Sequence, residues 1–368
     1  MKKNLKIMAL ALSAMMAFTV TGCGSSDSSN GAAVGTAAES KEAGDSTEAA
    51  KSEEAGDSSQ ETPEGATVFK LGTTVNEQDS FQVAAEKFAE LVAERTNGAY
   101  AIEIYPNGTL GGERDMLESM QIGTLDMGII TSGPFINFSS AMGVLDMPYL
   151  FASNEEAYAV LDGEIGRELL DTLEDSGLKG LAYAERGFRN LTNSVKPIQS
   201  AADLSGMTIR IMENDVYTAS FQAMDVNATP MAWADALTAL QQGTVQGQEN
   251  PINVIYSYSL WESQKYVTLD RHSYSTAIIT MSAALFDSLD ADTQQIFLDA
   301  AQEAAEYERA WVADQESSQL QALKDNGMEV IEEPDLASFK EAVQPVYDQY
   351  SEYSDYVARI QEVIAGMK

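Results

Sequence analysis

Between Val68 and Ile130 strand and helix signals alternate in the order β-α-β-α-β, and this order restricts the fold more than any other feature of the chain. Val68 to Thr74 reads as a strand. Asp79 or Ser80 then caps a helix whose apolar residues Phe81, Ala84, Ala85, Phe88, Leu91 and Val92 recur at helical spacing. Asn97-Gly98 stops it, Tyr100 to Tyr105 alternates as a strand, and Pro106-Asn-Gly turns the chain. Gly111-Gly112 precedes a second helix, Glu113 to Ile122, and Leu125 to Ile130 is a compact apolar strand. Such an order predicts parallel strands with helices on their faces, an α/β fold.

The pattern continues with helices over Glu155–Leu161 and Gly163–Asp175, and a strand over Lys179–Glu185. Ile252 to Tyr266 reads as helical at first, and Tyr274 to Met281 as a β-branched strand returning to the first half. Asp290 caps a very long helix that runs to about Asn326 and is ended by Gly327. At 1.5 Å per residue it spans about 50 Å, more than the width of one lobe, and is expected to brace two. No internal repeat is visible in the sequence.

The 368 residues exceed what one core usually serves. With 57 acidic against 22 basic residues and a pI near 4.1, nucleic acid and anionic membrane surfaces are poor partners, and any bound anion must be met by locally placed cations. One cysteine and one histidine, His272, leave little material for disulfides, metal clusters or a Ser-His triad, and no cofactor is expected. Lys2, Lys3 and Lys6, the apolar run Ile7–Val20 and Val20-Thr-Gly-Cys23 read as a lipoprotein signal over 1–22, with Cys23 as the acylated residue. Residues 23–66 are Ser, Gly, Ala, Glu and Asp with almost no large apolar side chain, and read as a disordered acidic tether.

Function concentrates between Arg186 and Pro251. In Met207-Thr-Ile-Arg-Ile-Met212 the apolar Met207, Ile209 and Ile211 share one face of a strand, and Thr208 and Arg210 lie on the other, where the planar fork of Arg210 matches a carboxylate. An exposed or structurally paired arginine fits the pattern equally well. Arg189 follows Gly187-Phe188 at the crossing between lobes; it reads either as a ligand contact made on closure or as a hinge ion pair to an acid such as Glu185. Arg186 is a weaker candidate. Trp233, after Pro230-Met-Ala, reads as a cover for a ligand skeleton or as a core aromatic, and Asn250 as a ligand-facing amide or a helix cap. Thr131 and Ser132, past the carboxyl end of a strand, stand where open α/β sheets receive ligands, or simply make a turn.

Taken together, Tyr105-Pro-Asn-Gly-Thr-Leu-Gly-Gly-Glu-Arg-Asp-Met116, Arg189 through Pro197-Ile198, Asp203-Leu-Ser-Gly-Met-Thr-Ile-Arg210, Pro230-Met-Ala-Trp233, Ala239-Leu-Gln-Gln-Gly243 and Gly247-Gln-Glu-Asn-Pro251 resemble the extracytoplasmic solute-binding subunits of tripartite ATP-independent periplasmic (TRAP) transporters. The resemblance covers Val68 to the C-terminus. It implies a two-lobed periplasmic-binding-protein-like fold with crossing hinge strands, and no enzymatic activity. One lobe is expected from 67–186 with 275–315, the other from 187–274 with 316–368. The resemblance places the carboxylate-clamping arginine at Arg210, the hinge-side arginine at Arg189, the completing asparagine at Asn250 and the aromatic at Trp233. Glu77, Thr131, Ser132 and Arg186 join them as candidate ligand contacts. Gln246 stands where relatives commonly carry Asp, and Thr131 where some place a ligand-contacting acid. The expected ligand is a small organic acid, a hexuronate or similar sugar acid before a C4-dicarboxylate. The expected partners are transporter membrane subunits and, through Cys23, the outer face of the cell membrane, with the protein itself a monomer. Two rivals are a ligand sensor presenting to a receptor and a secreted hydrolase pairing Glu185 with Asp215 or Glu249, although no Gly-x-Ser-x-Gly motif supports the latter.

Overall fold

The computed structural model describes residues 65–367; the signal segment, Cys23 and the acidic segment up to residue 64 lie outside the described residues. The first unit runs β1 (Thr67–Gly72), α1 (Ser80–Arg95), β2 (Tyr100–Tyr105), α2 (Glu113–Gln121) and β3 (Met127–Thr131). Asp79 caps α1 by accepting from Phe81 N at 3.1 Å, and the apolar stripe read from the sequence is buried. β1 lies between β2 and β3, parallel to both. Two short helices, α3 (Asn154–Leu161) and α4 (Glu164–Asp171), lead into the long strand β4 (Leu178–Asn193). The second unit is β5 (Thr208–Ile211), α5 (Asp215–Ala223), β6 (Asn227–Pro230), α6 (Trp233–Gln242) and β7 (Gly247–Asn250), with β5 between β6 and β7 and parallel to both. The chain finishes with α7 (Ile252–Ser257), β8 (Tyr266–Ser282), α8 (Ala283–Ser288), α9 (Ala291–Asp325), β9 (Glu329–Ile331), α10 (Leu336–Gln349) and α11 (Ser354–Gly366).

The two units share a topology, so the molecule carries an internal repeat that the sequence does not display. Each unit's last helix ends on a left-handed glycine, Gly123 at φ 74° and Gly243 at φ 68°, followed by a threonine. Thr124 Oγ1 donates to Ser119 O at 3.2 Å, and Thr244 Oγ1 to Ala239 O at 3.1 Å. Two residues further on, Asp126 accepts from Lys70 N at 2.8 Å, and Gln246 accepts from Thr208 N at 2.9 Å. The amide oxygen of Gln246 therefore does in the second unit what the carboxylate does in the first, and the departure at 246 is a matter of local packing.

Strands β4 and β8 tie the units together. They pair antiparallel from Leu178↔Ser282 to Asn193↔Tyr266, with β3 bonded to one end of β8 and β7 to the far end of β4. Both strands are much longer than the alternation alone suggests, because each continues from one lobe through the crossing into the other. The ladder breaks register between Glu185 and Gly187 and between Arg189 and Leu191. Gly187 sits at φ 98°, a conformation that a side chain would strain, which accounts for glycine at the crossing.

Helix α9 is 35 residues long, about 52 Å at the α-helical rise. Asp290 caps it through Thr293 N at 3.0 Å and Gly327 follows its end at φ 91°. Phe297, Ala300, Ala301, Ala304 and Ala305 pack with α1 in one core, and Leu323 packs with α6 and α7 residues in another. Helix α10 packs on α5, but α11 does not follow it: Tyr356 and Arg359 bind Glu168 of α4, and Tyr353 donates to Ser140 O at 2.8 Å. The end of the 316–368 segment thus leans on the first lobe, where α3 and α4 offer it an apolar seat.

Contacts also join the lobes in front of the ladder. Asn214 caps α5 through Tyr217 N at 2.9 Å and donates to Gly133 O at 2.9 Å and to Asp146 Oδ2 at 2.8 Å. Burial, against the donors Ser132 and Asn214, pushes Asp146 up to about 7. Asn214→Ala removes the cap and strips a donor from a buried acid, and is expected to cost about 2–4 kcal/mol in urea unfolding.

Candidate ligand-binding site

The site grows out of the third break in the β4–β8 ladder, the first being between Gly180 and Ala182 and the second between Glu185 and Gly187. Between Arg189 and Leu191 the register slips, Arg271 adopts φ 46°, and Asp270 and His272 turn into the interior. Asp270 accepts from Leu191 N at 3.0 Å and lies 2.8 Å from His272 Nδ1. His272 Nε2 is 3.3 Å from Glu249 Oε2, and the same carboxylate takes Nε of Arg189, with Arg189 Nη2 on its other oxygen at 2.9 Å. Nη2 also donates to Glu249 O at 2.6 Å and to Asn250 Oδ1 at 3.1 Å. The result is a buried chain of alternating charge, Asp270, His272, Glu249 and Arg189, in which every member has a partner.

Its electrostatics follow from that order. Burial alone raises Glu249, but Arg189 and His272 outweigh it and hold the carboxyl at about 2. Burial alone lowers His272, but Asp270 and Glu249 lift it to about 9. Arg189 therefore does form a hinge ion pair, although with Glu249 and not with Glu185. Glu185 is buried elsewhere, accepting from Tyr158 and from Asn154 Nδ2 at 3.0 Å. Glu249 is held by Arg189 and His272 and Glu185 by its own donors, so the carboxylate pairs of the hydrolase reading are already engaged.

Arg210 is placed differently. It is only 3% exposed, yet no carboxylate pairs with it among the described residues. Nε and Nη2 donate to one neutral acceptor, Met231 O, at 3.0 and 2.7 Å. Its guanidinium lies 5.4 Å from the Trp233 ring centroid, and Trp233 meets Tyr258 edge-on at 5.1 Å. Burial pushes Arg210 down to about 10; the charge of Glu249 offsets this only in part, and the positive charge of Arg189 adds to it. The apolar alternation of β5 correctly put Arg210 on the far face, but that face is covered by the 231–233 segment and is not open to solvent.

The remaining sequence candidates have distinct places. Asn250 does not cap α7: its amide donates to Gln248 Oε1 at 2.6 Å and accepts from Arg189. Thr131, buried at the end of β3, donates through N at 2.9 Å and through Oγ1 at 2.6 Å to Glu113 Oε1. Ser132 is buried and gives its hydroxyl to Asp146 at 3.0 Å. Arg186 pairs with Asp79 at 2.6 Å over the Phe81 ring, and Glu77 is exposed beside Asn107. Ser132, Arg186 and Glu77 are thus occupied by partners other than Arg210. Glu113, a helix start within the Tyr105–Met116 motif, stands out instead: its charge acts on both Arg189 and Arg210. The signal for it was its position, first in α2 as Trp233 is first in α6.

With this geometry in view, the comparisons decide the family. The family described as bacterial extracellular solute-binding protein, family 7, matches residues 71–353. The chain belongs to that family, the solute-binding subunits of TRAP transporters. Among its relatives, the 2,3-diketo-L-gulonate-binding periplasmic protein of Escherichia coli (strain K12) is 37% identical over 278 residues, 76% of this chain and 85% of that protein. A TRAP solute-binding protein from Polaromonas sp. JS666, solved with D-erythronate, superposes at a TM-score of 0.79 with 40% identity, covering 80% of this chain and 98% of the other. One from Sulfitobacter sp. NAS-14.1, solved with β-D-galacturonate, superposes at 0.76 with 31% identity, covering 80% and 98%. A family of receptors explains why the site carries engaged carboxylates and an uncommitted arginine.

The buried chain also makes stability depend on pH. His272 is raised in the folded state, so its contribution is complete below pH 6.5 and is lost as pH rises through about 9. In thermal unfolding across that range, the wild-type protein is expected to lose stability relative to His272→Gln, whose profile lacks this component.

Proposed function

We propose that this family member captures a hydroxylated small organic acid, a sugar acid in preference to a C4-dicarboxylate, and delivers it to the membrane subunits of a TRAP transporter. The observation that carries this reading is Arg210: a buried guanidinium that is given a carbonyl and an aromatic face but, among the described residues, no anion. A protein leaves a buried charge in that state at a cost unless a ligand supplies the counter-charge. A ligand carboxylate forks onto Arg210; Arg189, held rigid by Glu249, adds a second cation; Asn250 fixes Arg189, and Trp233 covers the carbon skeleton. Thr131 and the first unit supply the opposite wall. The erythronate, galacturonate and diketogulonate named for its relatives support a hydroxylated skeleton.

Capture proceeds by closure of two bodies, 67–186 with 275–315 against 187–274 with the segment after 315 up to α11. The β4–β8 crossing is the hinge and Asn214 latches the front. Arg210→Ala is expected to weaken galactonate or galacturonate binding by about 30- to 1000-fold, the loss of a charge-assisted pair, while the melting temperature without ligand changes little. Isothermal titration measures this, and an unchanged affinity would remove Arg210 from the site.

The reading extends to the N-terminus. Lipid on Cys23 anchors the protein to the outer face of the membrane, and the acidic segment 23–66 holds a monomeric binding head away from it. Cys23→Ala is expected to abolish incorporation of a labelled fatty acid and to move the protein from the membrane fraction to the soluble one.

A further inference from the structure

A second cluster of buried charges lies where the ladder breaks between Glu185 and Gly187. Glu308, at the middle of α9, is fully buried there and takes one hydrogen bond, from Glu185 N to Oε2 at 2.9 Å. Among the described residues its Oε1 has no partner. Asp79 Oδ2 and Ser80 Oγ, at the start of α1, are buried and have none either, and the Ser80 hydroxyl faces Glu308. Both neighbouring arginines are engaged elsewhere. Arg186 pairs with Asp79 Oδ1 at 2.6 Å, and Arg309 binds Asp162 at 2.6 and 2.9 Å and Tyr183 O at 2.6 Å. Glu185 is better served, with Asn154 Nδ2 on one oxygen and the Tyr158 hydroxyl on the other. The buried Tyr274 hydroxyl and the exposed carboxylates Glu155 and Glu316 complete the titratable groups around the pair.

A charged carboxylate with one donor and no cation is costly in such a place, whereas the neutral acid brings the donor that Asp79 Oδ2 and Ser80 Oγ lack. Burial, with the charges of Glu185 and Asp79 added to it, pushes Glu308 well above the ordinary carboxylate range. Donor count thus gives the charge to Glu185 and the proton to Glu308. The cluster is sealed by both lobes. Asn253 of α7 accepts from Ser80 N at 3.3 Å, and its Nδ2 has no partner among the described residues. Beside it lies a cavity of about 20 Å³, room for about one water, lined in part by Asn154, Glu185, Gly187, Asn253 and Gln319. Asn154 and Glu185 belong to one body of the proposed closure and Asn253 and Gln319 to the other, so parting the bodies admits water and lets Glu308 ionise. We propose that Glu308 is a proton-binding site in the hinge, filled from solvent as the lobes close, so that ligand capture is linked to proton uptake. The link rests on the two-body closure proposed above; the proton site itself does not. An acid raised in the closed form favours closure while it is protonated, so capture is strongest at low pH and weakens as pH rises through the closed-form value.

Glu308→Gln tests the assignment, because the amide keeps the shape, accepts from Glu185 N and offers Ser80 a donor, but binds no proton. Infrared spectra of the ligand-free protein are expected to show the carbonyl stretch of one protonated glutamate above the ordinary carboxylate range, and saturation with D-galactonate to extend that band to higher pH. An isotope label on glutamate carbon shifts the band and separates it from any aspartate, without a substitution. The band is expected to persist in Glu185→Gln and to vanish in Glu308→Gln. Isothermal titration with D-galactonate in buffers of differing ionisation heat is expected to show proton uptake by the wild-type protein. Its affinity is expected to fall by up to about tenfold per pH unit between about pH 7 and about pH 9, with less uptake and a shallower slope in Glu308→Gln. No such glutamate band, or a band that survives in Glu308→Gln, overturns the proton site. Equal uptake in wild type and variant overturns its link to capture. If the wild-type protein binds neither galactonate nor galacturonate, the carboxylate reading falls, and the band of the ligand-free protein still decides Glu308.

Discussion

The antiparallel ladder between β4 and β8 is the constraint on which the rest of the molecule depends. Each strand belongs to both lobes, so the lobes share backbone hydrogen bonds and do not merely touch. A continuous ladder of that length would be stiff. The breaks at Glu185–Gly187 and Arg189–Leu191 interrupt it where the chain crosses, with Gly187 free to take a positive φ and Arg271 held at φ 46°. The break beside Arg189 also turns Asp270 and His272 inward, so the crossing and the buried charge chain arise from one feature.

Burying four charged groups in a row is costly, and their stability comes from mutual satisfaction. Removing any one of Asp270, His272, Glu249 or Arg189 leaves a neighbour uncompensated in a medium that cannot screen it. Their chain ends on Arg189 at the edge of the site, which presents a rigid cation. Arg210 is built on the opposite principle. Its local hydrogen bonds go to one neutral carbonyl, and among the described residues no carboxylate pairs with it; in the proposed function a ligand supplies the counter-charge. The shift of Arg210 down to about 10 still leaves it charged at neutral pH.

The duplicated topology extends to the details of the turns. Gly123 and Gly243, Thr124 and Thr244, and Asp126 and Gln246 show the units keeping the same turn chemistry. At the starts of α2 and α6 they diverge, to glutamate in one and tryptophan in the other.

Much of this was legible along the chain. Helix caps, turn glycines, the 35-residue helix and the strand order of the first unit are set by contacts within a few residues, and the capping residue Asp290 and the stop at Gly327 could be read to within a residue. Arg210 could be placed on the far face of its strand for the same reason, since alternation is local. The extent of β4 and β8 could not, because pairing over sixteen and seventeen residues is decided by partners about ninety residues away. Nor could the sequence show that Arg189 pairs with Glu249 and not Glu185, that Ser132 and Arg186 are spent on Asp146 and Asp79, or that Thr131 binds Glu113. In a chain with 57 acids, composition offers each arginine many partners. The sequence determined which residue types stand on which face of which element; only the tertiary structure decided which charges meet, because that depends on how the crossing strands bring distant elements together.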